Sequence, residues 1–267
     1  MTANQDDGST PVYEVHGPRA TIRLNRPRHH NRLQPEDLVA LMALFDQVEA
    51  DPAVRVLVLT GTGRSFSSGY DLGSIAKRQA AGQQQIAGTS FEAVTNRLEQ
   101  LTVPTICRLN GGVYGGATDL ALACDFRIAI DTVEMFMPAA RLGLHYYKDG
   151  IKRYVSRLGA DNARMLFLTA RKINAAEMLR IGYLTAVAPA DRLDAEVNAL
   201  ADVIGANAPN AMAGMKRTIN EFARGELDEA AADARHRASM QSDEVKEGVA
   251  AFAEKRAPRF TGLKTKT

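Results

Sequence analysis

Twice in this chain a run of apolar residues gives way to a cluster of glycines and then to the start of a helix. The first case is 54–60 followed by 61–69, and the second is 104–109 followed by 111–116. Strands that alternate with helices in this way point to the α/β class. Each such turn also presents backbone N–H groups beside the positive end of a helix, which suits an anion that develops during a reaction. The same geometry serves a bound phosphate, or glycines needed only for tight packing. Neither turn fits G-x-G-x-x-G or the P-loop pattern, so the glycines alone leave that choice open.

The rest of the chain fits around these units. Residues 12–15 and 20–24 read as short strands about the turn His16-Gly17-Pro18. Pro35 opens a helix whose apolar residues Leu38, Leu41, Met42, Phe45 and Val48 recur at helical spacing, and Asp51-Pro52 ends it. A helix over 91–101 precedes the second strand, a helix follows its glycine turn to about Cys124, and 126–130 returns as a strand. After Asp191 the pattern turns helical, with candidates at 191–204, 211–224 and 242–256.

Bulk properties exclude several classes of function. A net charge of +2 over 267 residues gives no reason to expect nucleic acid or a membrane as the main partner. Cys107 and Cys124 lie in apolar runs with no Cys/His spacing for zinc, so no metal is expected. The polar start, with Asp6 and Asp7, is unlike a signal peptide, and no apolar run is long enough for a membrane span. Two buried thiols in a reducing, cytoplasmic location is the simplest expectation.

The residues around the glycines carry a resemblance. Phe66-Ser67-Ser68-Gly69-Tyr70-Asp71-Leu72 resembles the first oxyanion turn of the enoyl-CoA hydratase/isomerase (crotonase) family. Asn110-Gly111-Gly112-Val113-Tyr114-Gly115-Gly116-Ala117-Thr118-Asp119 resembles the second. Leu24-Asn25-Arg26-Pro27, Asn31-Arg32-Leu33, 170–182 and Phe252-Ala253-Glu254-Lys255-Arg256 fit the family's other segments, in the same order along the chain. The resemblance implies a spiral of ββα repeats with a helical C-terminal region that builds trimers or dimers of trimers. It divides the chain into a disordered tail (1–10), a spiral core with the acyl-CoA site (11–190) and an oligomerisation region (191–267). It implies no permanent cofactor, coenzyme A thioesters as substrates, and a thioester oxygen held between the N–H groups of Tyr70 and Gly116. Arg32, Ser68, Asp71, Leu72 and Lys255 fall at positions that contact the coenzyme A portion, with Lys255 reaching across from a neighbouring subunit. The bland alternative for Lys255 is a solvated lysine on a helix face.

The chain also departs from the family. Family hydratases handle water with two glutamates; here the first position is Asp119 and the second is Ala139. Alanine carries no titratable proton, which argues against a two-carboxylate hydratase mechanism. Asp119 is read as the acid–base residue, its alternative being an aspartate favoured at a helix start. In some relatives the position of Tyr147 holds a catalytic aspartate. Tyr147 is either a pocket wall or a group that orients water or donates a proton if its pKa is lowered. His145 is either a proton shuttle or structural. Tyr114 is expected to narrow the acyl pocket, and His29 and His30 to be exposed loop residues. Isomerisation, hydration through an unusual acid–base set, hydrolysis or C–C cleavage, and non-catalytic binding on the same fold all remain open.

Overall fold

The computed structural model describes residues 8–71, 73 and 90–262. Of the features expected from sequence, residues 1–7 of the tail and the site residue Leu72 lie outside the described residues.

A six-stranded sheet forms the frame, in the order β1-β2-β3-β5-β7-β10. Strands β1 (Val12–His16) and β2 (Arg19–Leu24) make an antiparallel hairpin about Gly17. The remaining pairings, through β3 (Val56–Gly61), β5 (Thr105–Leu109), β7 (Phe126–Ile130) and β10 (Ala186–Ala188), are parallel. All six residues of β3 are buried, as a parallel strand covered on both faces requires. Because side chains alternate across a sheet, Val56 and Val58 pack with Ile106 and Ile128 on one face, whereas Leu57 and Leu59 join Cys107 and Leu109 on the other. The second face carries the main core, including Leu38, Leu41, Phe45 and Val48 of helix α1 (Pro35–Ala50).

A second sheet of very short strands lies beyond it: β4 (Ser65–Ser67), β6 (Gly112–Tyr114), β8 (Glu134–Phe136) and β9 (Ile173–Asn174). Two of these strands fall inside the glycine-rich stretches that sequence reads as turns. Each is three residues long, Ser-Phe-Ser and Gly-Val-Tyr, too short for a period to register. With helix α2 (Phe91–Gln100) and α3 (Gly116–Ala123), the long-strand, short-strand, helix order makes up the ββα spiral.

The rest is helical: α4 (Lys148–Leu158), α5 (Ala160–Thr169), α6 (Ala175–Arg180), α7 (Leu193–Gly205), α8 (Pro209–Arg224), α9 (Glu229–Met240) and α10 (Asp243–Ala253). Helix α9 lies outside the helices expected from sequence. It buries no residue, so it has no apolar stripe to read. Leu193, Val197, Ala201 and Ile204 of α7 close one face of the molecule's own first sheet, while Val203 of the same helix is exposed. Exposed apolar side chains sit further on, at Met215, Ile219 and Phe222 of α8 and Val249 of α10, with Phe252 88% exposed. Helix α8 is anchored by Lys216, whose Nζ reaches Asp125 Oδ2 at 2.7 Å and the Val103 carbonyl at 2.9 Å. Among the described residues no helix is long and apolar enough to cross a membrane.

Candidate active site

The first glycine turn is strapped from outside by the segment Asn31-Arg32-Leu33. Buried Asn31 donates from Nδ2 to the carbonyls of Thr62 and Ser65, both at 2.9 Å. Ser67 Oγ donates to the Asn31 carbonyl at 2.7 Å and accepts the Gly69 N–H at 3.0 Å. The Ser68 N–H donates to the His30 carbonyl, the Leu33 N–H to Gly69, and the Asp71 N–H back to Leu33, at 2.8–2.9 Å. These bonds fix the backbone on both sides of Tyr70, which bridges to Leu33 as a one-residue parallel ladder.

The second turn is pinned onto the first. Asn110 donates to the carbonyls of Gly63 (2.8 Å) and Ser65 (3.1 Å) and accepts the Gly61 N–H (3.1 Å). Gly115, at φ +55°, donates to the Phe136 carbonyl and turns the chain into α3. Gly69, at φ +86°, is packed so closely that a Cβ there would lie 2.8 Å from both Gly116 N and Tyr114 O. Only glycine fits that backbone and that gap. The turn carrying Tyr70 therefore abuts the first amide of α3. Gly116 belongs to the helix's first turn, whose N–H groups have no intrahelical acceptor, and among the described residues no protein group accepts from it. The Phe91 ring covers this spot, 3.0 Å from where a Gly116 Cβ would be, and leans on the Tyr70 ring with centroids 6.1 Å apart.

Asp119, one turn further along α3, is fully buried. Its Oδ1 accepts from Arg153 Nη1 at 2.8 Å, and its Oδ2 accepts the phenol of Tyr147 and, at 3.3 Å, that of Tyr146. Gly150 lets the first turn of α4 press against this carboxylate, since a Cβ there would stand 2.8 Å from Oδ2. Behind Arg153 lies Glu99, with its Oε1 at 3.1 Å from Nε, and Asn96 accepts from Nη2 at 2.8 Å. Glu99 also meets Arg157 at 3.2 Å and Arg224 of α8 at 2.9 Å. Burial works against charge on Arg153, but Asp119 and Glu99 more than offset it and push its pKa up, so the guanidinium stays protonated. Burial, the Asp119 charge and the hydrogen bond to it push the Tyr147 phenol well above its ordinary value. The condition attached to proton donation by Tyr147, a lowered pKa, is therefore not met: burial and the neighbouring Asp119 carboxylate outweigh Arg153 and hold it as a phenol.

The other sequence candidates scatter. His145 is exposed and makes no hydrogen bond among the described residues, so it is not joined to the Asp119 network. Its neighbour Tyr146, passed over in the sequence, takes the inward place. Ala139 is buried in the apolar core at the start of a 3₁₀ turn. The Tyr114 hydroxyl donates to Glu134 at 2.8 Å, and its ring lies over Gly112. Arg32 pairs with Asp71 at 3.5 Å beside the first turn, and Ser68 Oγ donates to the His29 carbonyl at 3.4 Å. His30 is half-buried, with Nδ1 2.8 Å from Ser65 Oγ and Nε2 2.9 Å from Arg64, unlike the exposed residue expected. Lys255 is exposed beyond the end of α10 and makes no ion pair among the described residues. Among the described residues no group of three His, Cys, Asp or Glu is arranged to hold a metal ion.

Comparison with known proteins adds an independent line. The sequence matches the profile of the enoyl-CoA hydratase/isomerase family over residues 18–264. It is 33% identical over 245 residues to a crotonyl-CoA hydratase of Syntrophomonas wolfei, covering 90% of this chain and 94% of that one. Over 248 residues it is 32% identical to a carnitinyl-CoA dehydratase of Proteus mirabilis, again covering 90% and 94%. The fold matches a crystal structure of an enoyl-CoA hydratase from Bacillus anthracis with a TM-score of 0.85 at 28% identity, covering 96% of this chain and all of the other.

Proposed function

The chain belongs to the enoyl-CoA hydratase/isomerase family and is an enzyme of that family acting on acyl-CoA thioesters, and from that premise we propose that it stabilises a thioester enolate between the N–H groups of Tyr70 and Gly116. The observation that carries this reading is the contact of the two turns at Gly69 and Gly116. An enolate oxygen gains charge as the transition state forms, and a preorganised donor aimed at it is worth about 2.7–4 kcal/mol. Backbone amides suit the task because they do not titrate and are fixed by the Asn31 and Asn110 bonds.

Asp119 and Tyr147 handle the proton. Asp119 has no exposed surface, so it acts through the half-buried Tyr147 rather than by touching the substrate. Arg32, Ser68 and Asp71 border the coenzyme A portion, and Lys255 reaches it in a neighbouring subunit. The exposed apolar residues of α8 and α10 favour assembly as a trimer or dimer of trimers.

The test is steady-state kinetics with a panel of acyl-CoA thioesters. Hydration of crotonyl-CoA is expected to be weak, because the loss of one placed acid–base group, here at Ala139, costs about 10²–10⁴ in rate. On the best substrate, Tyr147→Phe and Asp119→Asn should each lose activity by a similar factor. Hydration of crotonyl-CoA at the rate of ordinary family hydratases would refute the reading of Ala139. Full activity of Asp119→Asn would make Asp119 a helix-start residue only.

A further inference from the structure

We propose that Glu247 is the positioning residue for Lys255: it clamps the turn after α10 so that Lys255 is presented, clear of its own chain, to the coenzyme A portion held by a neighbouring subunit. This rests on the functional reading above, which gives Lys255 that contact.

Lys255 sits in a backbone conformation that lysine does not favour. Its φ is +52°, in the left-handed region, one residue past the Glu254 cap of α10. The Lys255 N–H donates to the Phe252 carbonyl at 3.2 Å and the Arg256 N–H to the Ala251 carbonyl at 3.0 Å, which closes the helix end. Glycine is the usual residue at that place, because it has no Cβ to crowd the backbone. A larger side chain persists there only where the surrounding structure holds the chain in that shape.

Glu247, about two turns earlier in α10, does so. Its carboxylate takes Arg256 in a forked pair, Oε1 accepting from Nη1 at 2.6 Å and Oε2 from Nη2 at 3.0 Å. Oε1 also accepts the Arg259 N–H at 2.6 Å. Arg256 donates in addition from Nε to Glu254 at 2.6 Å and from Nη1 to the Ala257 carbonyl at 3.2 Å. Residues 254, 256, 257 and 259 are thus tied into one turn around a single carboxylate. An exposed ion pair is ordinarily worth little, but a bidentate arginine–carboxylate pair that also holds a backbone amide is better defined. The Arg256 guanidinium and the Arg259 amide hold the Glu247 carboxyl down at about 2, so the clamp stays closed through the neutral range.

The chain beyond the clamp is fastened as well. Arg55 donates to the Phe260 carbonyl and, from Nη1 at 3.1 Å, to the Gly205 carbonyl at the end of α7. Gly262 lies so close to Pro52 that a Cβ would not fit. Lys255 therefore stands between a helix and a turn that are both fixed. Arg256 is occupied by Glu247 and Glu254, whereas Lys255 is exposed and makes no ion pair among the described residues. A lysine carried on a fixed turn has less freedom to lose when it meets a phosphate than one on a frayed helix end. Without Glu247 nothing ties 256 and 259 to α10, and the left-handed turn at Lys255 is free to relax.

Calorimetry with butyryl-CoA, beside sedimentation of each variant, tests the clamp. Lys255→Ala is expected to weaken binding about 2–5-fold, the loss of one solvent-exposed charge contact. Glu247→Gln should weaken it by a similar factor with assembly unchanged, and the double variant should bind no more weakly than Lys255→Ala alone. Losses that multiply in the double variant would show that Glu247 acts other than through Lys255, and would overturn the proposal. A Glu247→Gln protein that dissociates would assign Glu247 to assembly instead. Wild-type binding by Glu247→Gln beside weakened Lys255→Ala would overturn the clamp and leave the coenzyme A contact of Lys255 standing. Wild-type binding by Lys255→Ala would remove that contact and the proposal together, and absence of binding by wild type would bring down the functional reading itself.

Discussion

Gly69 and Gly116 are packed so that a single methyl group on the first would fall 2.8 Å from the amide nitrogen of the second. That contact joins the two turns into one site, and it predicts the outcome of Gly69→Ala. The substitution forces a side chain into a left-handed backbone at φ +86° and pushes the turns apart. The strain costs about 1–3 kcal/mol. Because a displaced oxyanion donor costs about 10²–10³ in rate, kcat/KM should fall by that factor while circular dichroism stays native. Unchanged kinetics in a folded Gly69→Ala protein would separate the contact from catalysis.

A second prediction concerns Glu99, which holds Arg153, Arg157 and Arg224 together. Burial pushes its carboxyl pKa up, but the three guanidinium groups outweigh burial and hold it below the ordinary 4.5. A carboxylate depressed in the folded state stabilises the protein above its unfolded pKa, and that contribution is lost as pH falls through the folded value. Glu99→Gln should cost about 3–5 kcal/mol near neutrality, the usual penalty for breaking a buried ion pair. In urea titrations the gap from wild type should be steady between about pH 5 and 8 and narrow below 4.5. A gap that persists unchanged into the acid range would contradict this account of Glu99.

The framework of the chain was legible in its sequence where period or punctuation is strong. Pro35 and the apolar stripe from Leu38 to Val48 mark α1, and the unbroken apolar run of β3 marks a strand buried on both faces. The two glycine turns and Asp119 were legible as well. What stayed hidden depends on distance along the chain. Arg153 meets Asp119 across 34 positions and Glu99 across 54, so no local pattern announces either pair. At 145–147 the difficulty is one of direction. Neighbouring side chains in a non-helical segment diverge, so His145 is exposed while Tyr146 is buried against Asp119. The α7 stripe was legible as apolar, but sequence alone does not say whether such a stripe covers its own sheet or another subunit.

Assembly gives a third prediction. Ile219 and Phe222 are 64% and 65% exposed in the single chain, with Met215 one turn away on the same helix. Closed symmetric association is the usual way such surfaces are covered. Wild type is expected to sediment as a trimer or a dimer of trimers, and Phe222→Asp should shift it towards monomer without loss of helix content. A wild-type monomer at micromolar concentration would contradict the proposed assembly.

The central claim is tested most directly by a crystal structure of the protein with bound butyryl-CoA. The account predicts that the thioester oxygen lies about 2.7–3.1 Å from both the Tyr70 and the Gly116 nitrogens, with the α-carbon on the side of Tyr147. A thioester oxygen bonded to neither amide, or an acyl chain running away from Tyr147, would contradict it.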